Sequence, residues 1–342
     1  MKVLIIGGTG LISTGITREL VERGDEVTLY NRGKREVEVP ARVKKIVGDR
    51  RAYAAFEAQM AEAGIFDAVI DMVAFVPEEV ESAIRAFRGR TAQYVFCSTV
   101  DVYTKPAAVY PVREDAERAP SAAFPYALNK ARCERILEAA HARGDFAVTT
   151  IRPAWTYGEG GTILHSFGWG SDFLDRIRRG KPVIVHGDGT SFWAACHRDD
   201  VARAFVGALG TTRAFGKAYH TTSEEWLTWD RYVQTVAEAM QAPAPRIVHI
   251  PTEVLGKVAP KAAEWCVLNF RYNGMFDNSA AKAELGFRYT IPFVDGAKRV
   301  IAWLERHDRI ESADAQPWYD RLIELWDQLG VEMVSAAAGL GV

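Results

Sequence analysis

The chain has 342 residues, with 42 Lys+Arg against 44 Asp+Glu, a formal charge of −2 and 48% hydrophobic residues. That mixture suits a globular chain of one large domain or two close ones, and it excludes a disordered, collagen-like or disulfide-stapled scaffold. So even a charge balance gives no global pull toward nucleic acid or anionic lipid. Cys97, Cys133, Cys196 and Cys266 lie far apart and form no CxxC pair, so no zinc spacing and no metal is expected. The first residues, Met1-Lys2-Val3-Leu4-Ile5-Ile6, lack the basic-then-apolar order of a signal peptide. No apolar run approaches the ~18 residues of a membrane span. A cytoplasmic setting with no membrane partner is the expectation.

The first half alternates strands and helices. Val3 to Ile6 is a short apolar run suited to a strand buried on both faces, and it ends in Gly7-Gly8-Thr9-Gly10. A helix is predicted from Leu11 to Arg23, stopped by Gly24. Strands follow at Val27 to Tyr30, Val43 to Val47, Asp67 to Asp71, Gln93 to Ser98 and Phe146 to Ile151. Helices are predicted at Phe56 to Glu62, Pro77 to Phe87 and about Ala122 to Arg143. This alternation implies an α/β fold, a Rossmann-type doubly wound parallel sheet. After Pro153 the composition changes. Residues 158–170 hold five glycines and read as a loop or lid. Phe173 to Arg179 and Asp199 to Leu209 read as helices, Val183 to His186 and Ile247 to Ile250 as strands, and helices dominate from Glu224 onward. The expected division is a dinucleotide-binding domain at 1–157, with 191–222 returning to it. A smaller, mostly helical substrate lobe takes 158–190 and 223–330, and 331–342 is a frayed tail.

The glycine turn between a strand and a helix is the first chemical signal. Glycines there permit a tight turn and close backbone approach, so that a pyrophosphate rests on the helix N-terminus. Gly7, Thr9, Gly10, Leu11 and Ile12 are the candidate contacts, and Ser13 stands where a third glycine is often found. The second strand ends in Asn31-Arg32-Gly33-Lys34-Arg35, where an acidic residue would bind the adenosine ribose. Uncharged Asn31 repels no 2′-phosphate, and Arg32 and Arg35 could attract one, which favours NADP. Asn also hydrogen-bonds a ribose hydroxyl, so NAD stays open. Asp49 could accept from an adenine amino group or simply close a turn.

Tyr126 and Lys130, four apart on one predicted helix, share a face. A phenol needs help to act as a base near neutrality, and a neighbouring ammonium favours its ionised form. Ser98 and Thr99, at the end of the fifth strand, add hydroxyls able to orient a substrate oxygen. Ligands collect at such carboxyl ends in open α/β sheets.

These residues, with Arg152-Pro153, Gly187-Asp188-Gly189 and His197-Arg198-Asp199-Asp200-Val201, give a chain that resembles the extended short-chain dehydrogenases/reductases. Within them it is most similar to the NAD-dependent epimerase/dehydratase group, over roughly Met1 to Leu304. The resemblance implies Tyr126 as acid/base, Lys130 as the partner that lowers its pKa, and Thr99 as the third member. Thr99 is preferred to Ser98 because the family's hydroxyl lies four residues before the Tyr of the Val-Tyr pair, here Tyr103. Pro153 would lie along the nicotinamide. The resemblance also implies a homodimer through the Pro77 helix and the Tyr126 helix.

Departures from the family pattern bear on the substrate. Sugar-nucleotide dehydratases resemble this chain but carry Asp-Glu after the hydroxyl. Here Val100 and Asp101 stand there, and Val100 cannot donate a proton, although Asp101 remains a candidate acid/base or a strand-end carboxylate. Trp155 and Trp193 occupy positions where the epimerases place the Asn and Arg that bind a diphosphate. An indole has one donor and no charge. Arg271 is a loose match to a second family Arg. The two tryptophans suit either a ring-stacking pocket or core packing. His165 reads as a surface-loop side chain and His197 as part of a helix cap. The expected activity is NAD(P)-dependent epimerisation or redox chemistry at a secondary alcohol of a sugar-like small molecule, within sugar metabolism. A net NADP-dependent reductase of a cyclic or aromatic substrate is the alternative. A non-catalytic role, either cofactor sensing or the RNA binding known among relatives resembling this chain, is the third reading; the intact Thr99, Tyr126 and Lys130 and the neutral charge count against it.

Overall fold

The computed structural model describes residues 1–34 and 39–338. Arg35, named above for a 2′-phosphate, lies outside them. The chain parts into two compact units. The first holds Met1–Gly158, Ala194–Trp226 and Met275–Phe293.

Its frame follows from the apolar runs. The strands are β1 (Lys2–Ile6), β2 (Glu26–Asn31), β3 (Lys44–Val47), β4 (Phe66–Asp71), β5 (Thr91–Cys97) and β6 (Ala147–Pro153). With the strand Lys217–Thr221 they form a seven-stranded sheet. From one edge its order is Lys217–Thr221, β6, β5, β4, β1, β2, β3, every pairing parallel. Parallel neighbours need crossovers. Here these include α1 (Leu11–Arg23), α2 (Tyr53–Ala63), α3 (Pro77–Phe87) and α4 (Pro125–Ala142). Alternate side chains of one strand serve opposite faces. Val3, Ile5 and Leu29 pack with Ile16, Leu20 and Phe205, while Leu4, Ile6 and Tyr94 pack with Phe56, Met60 and Leu137. This is the doubly wound α/β sheet that the alternation implied. Strand β6 runs two residues past the expected Ile151. Thr221 pairs with Pro153, and this carries Arg152 and Pro153 onto the sheet's carboxyl end.

Residues 275–293 fold with the first unit, whereas the sequence assigned them to the second. Ala281, Leu285 and Phe287 pack into its core, and polar contacts add to this. Glu284 accepts from Lys217 at 2.8 Å and from Tyr219 at 2.6 Å. The buried Asp200 carboxylate accepts the N–H groups of Thr290 at 2.8 Å and Ile291 at 3.0 Å.

The second unit holds Glu159–Trp193, Leu227–Gly274 and the residues from Val294 onward. It is mostly helical, with Asp172–Arg178, Trp229–Ala239, Thr252–Val258 and Pro317–Ala337 among its helices. Two small sheets pair Val183–His186 with Ile247–Ile250 and Phe192–Trp193 with Leu227–Thr228. Residues 331–337 of the expected tail lie in the last helix, which runs to Ala337, and 339–342 lie outside the described residues. No helix among the described residues is long and apolar enough to cross a membrane.

His165 is likewise corrected. It is buried, stacked on Phe173 at 4.8 Å, and burial holds its pKa at about 3. Burial also lowers His186 to about 4 and His220 to about 3, against 6.5 for a free imidazole. Their folded pKa values are depressed, so below 6.5 the unfolded chain binds protons that the native chain does not. Stability therefore falls as pH drops from 6.5 toward about 3. The melting temperature is expected to decline steadily between about pH 7 and about pH 5. A flat profile across that window would contradict neutral buried histidines.

Candidate active site

The glycine turn sits where β1 feeds α1. Gly7 has φ +85, and a Cβ there would lie 2.4 Å from a Val73 methyl carbon, so a side chain is excluded by both strain and space. Ser13 takes the place of a third glycine and ties the turn together. Its Oγ accepts the Gly10 N–H at 2.8 Å and donates to the Gly7 carbonyl at 2.8 Å. Leu11 and Ile12 open the helix. In front of the turn lies a cavity of 360 Å³. Gly7, Thr9, Gly10, Asn31, Arg32 and Asp49 all line it. The sequence reading missed further wall residues: Lys34, Arg50, Arg51, Phe75 and Glu79. Arg50 is buried and ion-paired with Asp71, so it is a wall and not a free cation. The exposed Arg51 pairs with Glu79 at 3.2 Å. Glu79 also accepts the Phe75 N–H at 2.6 Å and the Val76 N–H at 3.2 Å, which ties down the start of α3. Asn31 turns its carbonyl oxygen to the Gly33 N–H at 2.8 Å, and Asp49 accepts the Arg51 N–H at 3.0 Å as a turn former. The glycine cradle and the basic rim fit a dinucleotide.

The same unit carries the candidate triad. Thr99 follows β5, buried, and caps a short 3₁₀ turn by accepting the Asp101 N–H at 3.2 Å. Tyr126 sits in the first turn of α4 behind Pro125, between the rings of Phe75 and Phe124 at 6.5 and 6.0 Å. Its hydroxyl hydrogen-bonds Thr99. Lys130 lies one turn on, almost fully buried, and donates to the carbonyls of Ala74 at 2.8 Å and Cys97 at 2.6 Å. The expected lowering of the phenol pKa is not what this arrangement produces. Burial first, then the Asp101 carboxylate, push Tyr126 well above the ordinary phenol, and the Thr99 hydrogen bond opposes them only in part. Burial likewise lowers the Lys130 pKa.

Behind the triad runs a buried polar network. Glu134, one turn after Lys130, takes Ser98 Oγ at 2.5 Å, Arg152 through two nitrogens at 2.9 and 2.7 Å, and Arg118 at 2.6 Å. Arg152 also donates to Tyr103 Oη at 2.6 Å, which lies 2.5 Å from His220 Nε2. Burial works against the Glu134 charge, but Arg152 and the hydrogen bonds hold its carboxyl below the usual range. The network joins the ends of β5 and β6 to α4, the elements that carry Thr99, Pro153 and Tyr126. Ser98, Tyr103 and Arg152 were named from sequence for other reasons, whereas Glu134, Arg118 and His220 were not.

Of the proposed substrate residues, Asp101 and Trp155 belong to the first unit. Asp101 pairs with Lys105 at 2.6 Å, and Trp155 stacks on Tyr157 at 5.3 Å. Trp193 and Arg271 belong to the second. Trp193 is only 8% exposed and packs against Trp229 at 5.2 Å and Phe270 at 4.9 Å, as a core residue does. Arg271 is partly exposed and ion-paired with Glu253. His197 accepts the Asp199 N–H at 3.2 Å as a helix cap.

A parallel sheet with a glycine turn after its first strand, and Thr99, Tyr126 and Lys130 beyond its fifth, defines the class: an enzyme of the extended short-chain dehydrogenase/reductase type. The model of the NAD dependent epimerase/dehydratase family matches residues 3–221, and the chain belongs to that family. It is 27% identical over 325 residues to the chloroplast stem-loop binding protein of 41 kDa b of Arabidopsis thaliana, covering 91% of this chain and 76% of that one. It is 26% identical over 277 residues to the 2′-dehydrokanamycin reductase of Streptomyces kanamyceticus, covering 81% and 77%. An epimerase from Methanothermobacter thermautotrophicus has a similar structure, with TM-score 0.73, 16% identity and 89% and 92% of the two chains covered. So has the UDP-glucuronic acid 4-epimerase of Bacillus cereus in complex with NAD, with TM-score 0.70, 16% identity and 90% and 99% covered.

Proposed function

We propose that this enzyme is an NADPH-linked reductase of a carbonyl on a sugar-like or cyclic small molecule, with Tyr126 as its proton donor. The observation that carries the reading is the Tyr126–Thr99 hydrogen bond beside the buried Asp101. The Tyr126 phenol carries its proton at neutral pH and meets Thr99 where a substrate oxygen would be oriented, so it is placed to hand that proton to a developing alkoxide. The nicotinamide, when bound, supplies the hydride. Thr99 orients the substrate oxygen, and Lys130 holds the end of β5 and the segment after β4 through its two carbonyl bonds. Similarity to the 2′-dehydrokanamycin reductase supports the direction. Epimerisation would use the same residues and is recognised by product without net cofactor consumption.

The choice of NADPH rests on Asn31, which carries no charge, and on Arg32, Lys34 and Arg51 around the same cavity. NADPH is expected to bind at least about tenfold tighter than NADH, measured by fluorescence titration. Arg32→Ala should erase about tenfold of that difference, the weight of one charge-assisted contact. Equal affinities in the wild type would remove the NADPH assignment. The reductase reading is tested by cofactor oxidation with camphorquinone and a panel of keto-sugars with and without a nucleoside diphosphate.

Similarity to a stem-loop binding protein favours a second reading, RNA binding. Salt-sensitive binding of a stem-loop RNA, with no turnover of any carbonyl in the panel, would select it.

A further inference from the structure

Tyr126 must regain a proton after each turnover, and its neighbours differ in how they connect to solvent. Lys130 is buried and spends two N–H groups on the Ala74 and Cys97 carbonyls. Thr99 faces the other way. Its hydroxyl is hydrogen-bonded to the phenol and lies 3.3 Å from Asp101 Oδ2. The second Asp101 oxygen accepts from Lys105 Nζ at 2.6 Å. Exposure rises along the line. Thr99 is 6% exposed, and the Asp101 and Lys105 side chains are 12% and 18% exposed. Asp101 is held in place by its own N–H on Thr99 and by the 3₁₀ turn, and Lys105 reaches it from four residues on.

From these contacts we infer a proton relay, Lys105 to Asp101 to Thr99 to Tyr126, that reloads the phenol from solvent; it rests on the reductase reading above. The balance is simple. The phenol gives its proton to the substrate oxygen. The phenolate takes the hydrogen of the Thr99 hydroxyl, Thr99 takes the proton that Lys105 has passed to Asp101, and water reprotonates Lys105. One proton enters for each that leaves on the product, and only O–H and N–H bonds change. Asp101 and Lys105 act through Thr99 and need not touch the substrate. The Asp101 carboxylate here moves protons to and from a hydroxyl, and no elimination is asked of it.

The test uses the full-length enzyme with NADPH and camphorquinone. Asp101→Asn, which keeps shape but cannot carry the proton, should lower kcat about 100-fold, the lower end of a proton-transfer contribution. KM should stay within about twofold, and the solvent deuterium isotope effect on kcat should rise, because the reload becomes limiting. Lys105→Met, at a partly exposed side chain, should lower kcat about tenfold and keeps the test independent of how Asp101→Asn folds. A readout without turnover is the exchange of the Thr99 hydroxyl hydrogen with water in cofactor-free protein, followed by NMR. It should be about tenfold slower in Lys105→Met. Variants within about twofold of wild type, with unchanged isotope effect and exchange, would overturn the relay while leaving the reductase intact. Wild-type enzyme that reduces neither camphorquinone nor any panel ketone would overturn the reading beneath it, and the relay with it.

Discussion

Tyr126→Phe is expected to lower turnover by at least about 100-fold, since proton transfer by a positioned side chain contributes roughly 10²–10⁴. The change removes one oxygen from a ring that keeps its contacts with Phe75 and Phe124. NADPH affinity should stay within about twofold, because the cavity beside the glycine turn is lined by other residues. Thr99→Ala should cost less, about tenfold, as it leaves the phenol in place. Near-normal turnover in Tyr126→Phe would remove Tyr126 from the chemistry and with it the reductase mechanism.

Arg152→Ala is expected to destabilise the fold by about 3–5 kcal/mol, the usual cost of breaking a buried ion pair from one side. The loss leaves Glu134 buried with Ser98 and Arg118 only, and frees Tyr103 Oη from its donor. Glu134→Ala should cost a similar amount, since it strands a guanidinium that is 2% exposed. Replacing both together, as Glu134→Leu with Arg152→Met, should cost much less than either single change, because no unpaired charge remains. Urea unfolding of the four proteins checks this. Additive losses would mean that the pair is not a unit. The pair also depends on pH. Glu134 has a depressed folded pKa, so its contribution is present above 4.5 and is lost as pH falls through that lower folded value.

Much of the first unit was readable because both-face burial writes continuous apolar runs. Leu11–Arg23 and Pro77–Phe87 fall where Gly24 and Pro77 predicted. The glycine turn and the Tyr126–Lys130 spacing were likewise visible, since local geometry fixes them. What was not readable is what distant segments bring. Lys130 was expected to depress its tyrosine, but the Ala74 and Cys97 carbonyls, 56 and 33 residues away, claim its ammonium. Glu134 sits four residues after Lys130, a spacing that was on view. Its meaning depends on Arg152 and Ser98, which only the sheet register brings to it. Residues 275–293 join the first unit through a short apolar set, Ala281, Leu285 and Phe287, and through the carboxylates of Asp200 and Glu284, whose partners lie 65 or more residues away in the sequence. Trp193 posed a choice between stacking pocket and core, and its neighbours Trp229 and Phe270, 36 and 77 residues further on, are those of a core position.

The most direct measurement follows hydrogen from cofactor to product. Wild-type enzyme is given camphorquinone and NADPH deuterated at the transferable position, and the alcohol is analysed by mass spectrometry and NMR. One deuterium on the new carbinol carbon, formed by wild type and lost with Tyr126→Phe, is the predicted result. Alcohol without deuterium, or equal formation by Tyr126→Phe, would contradict the account.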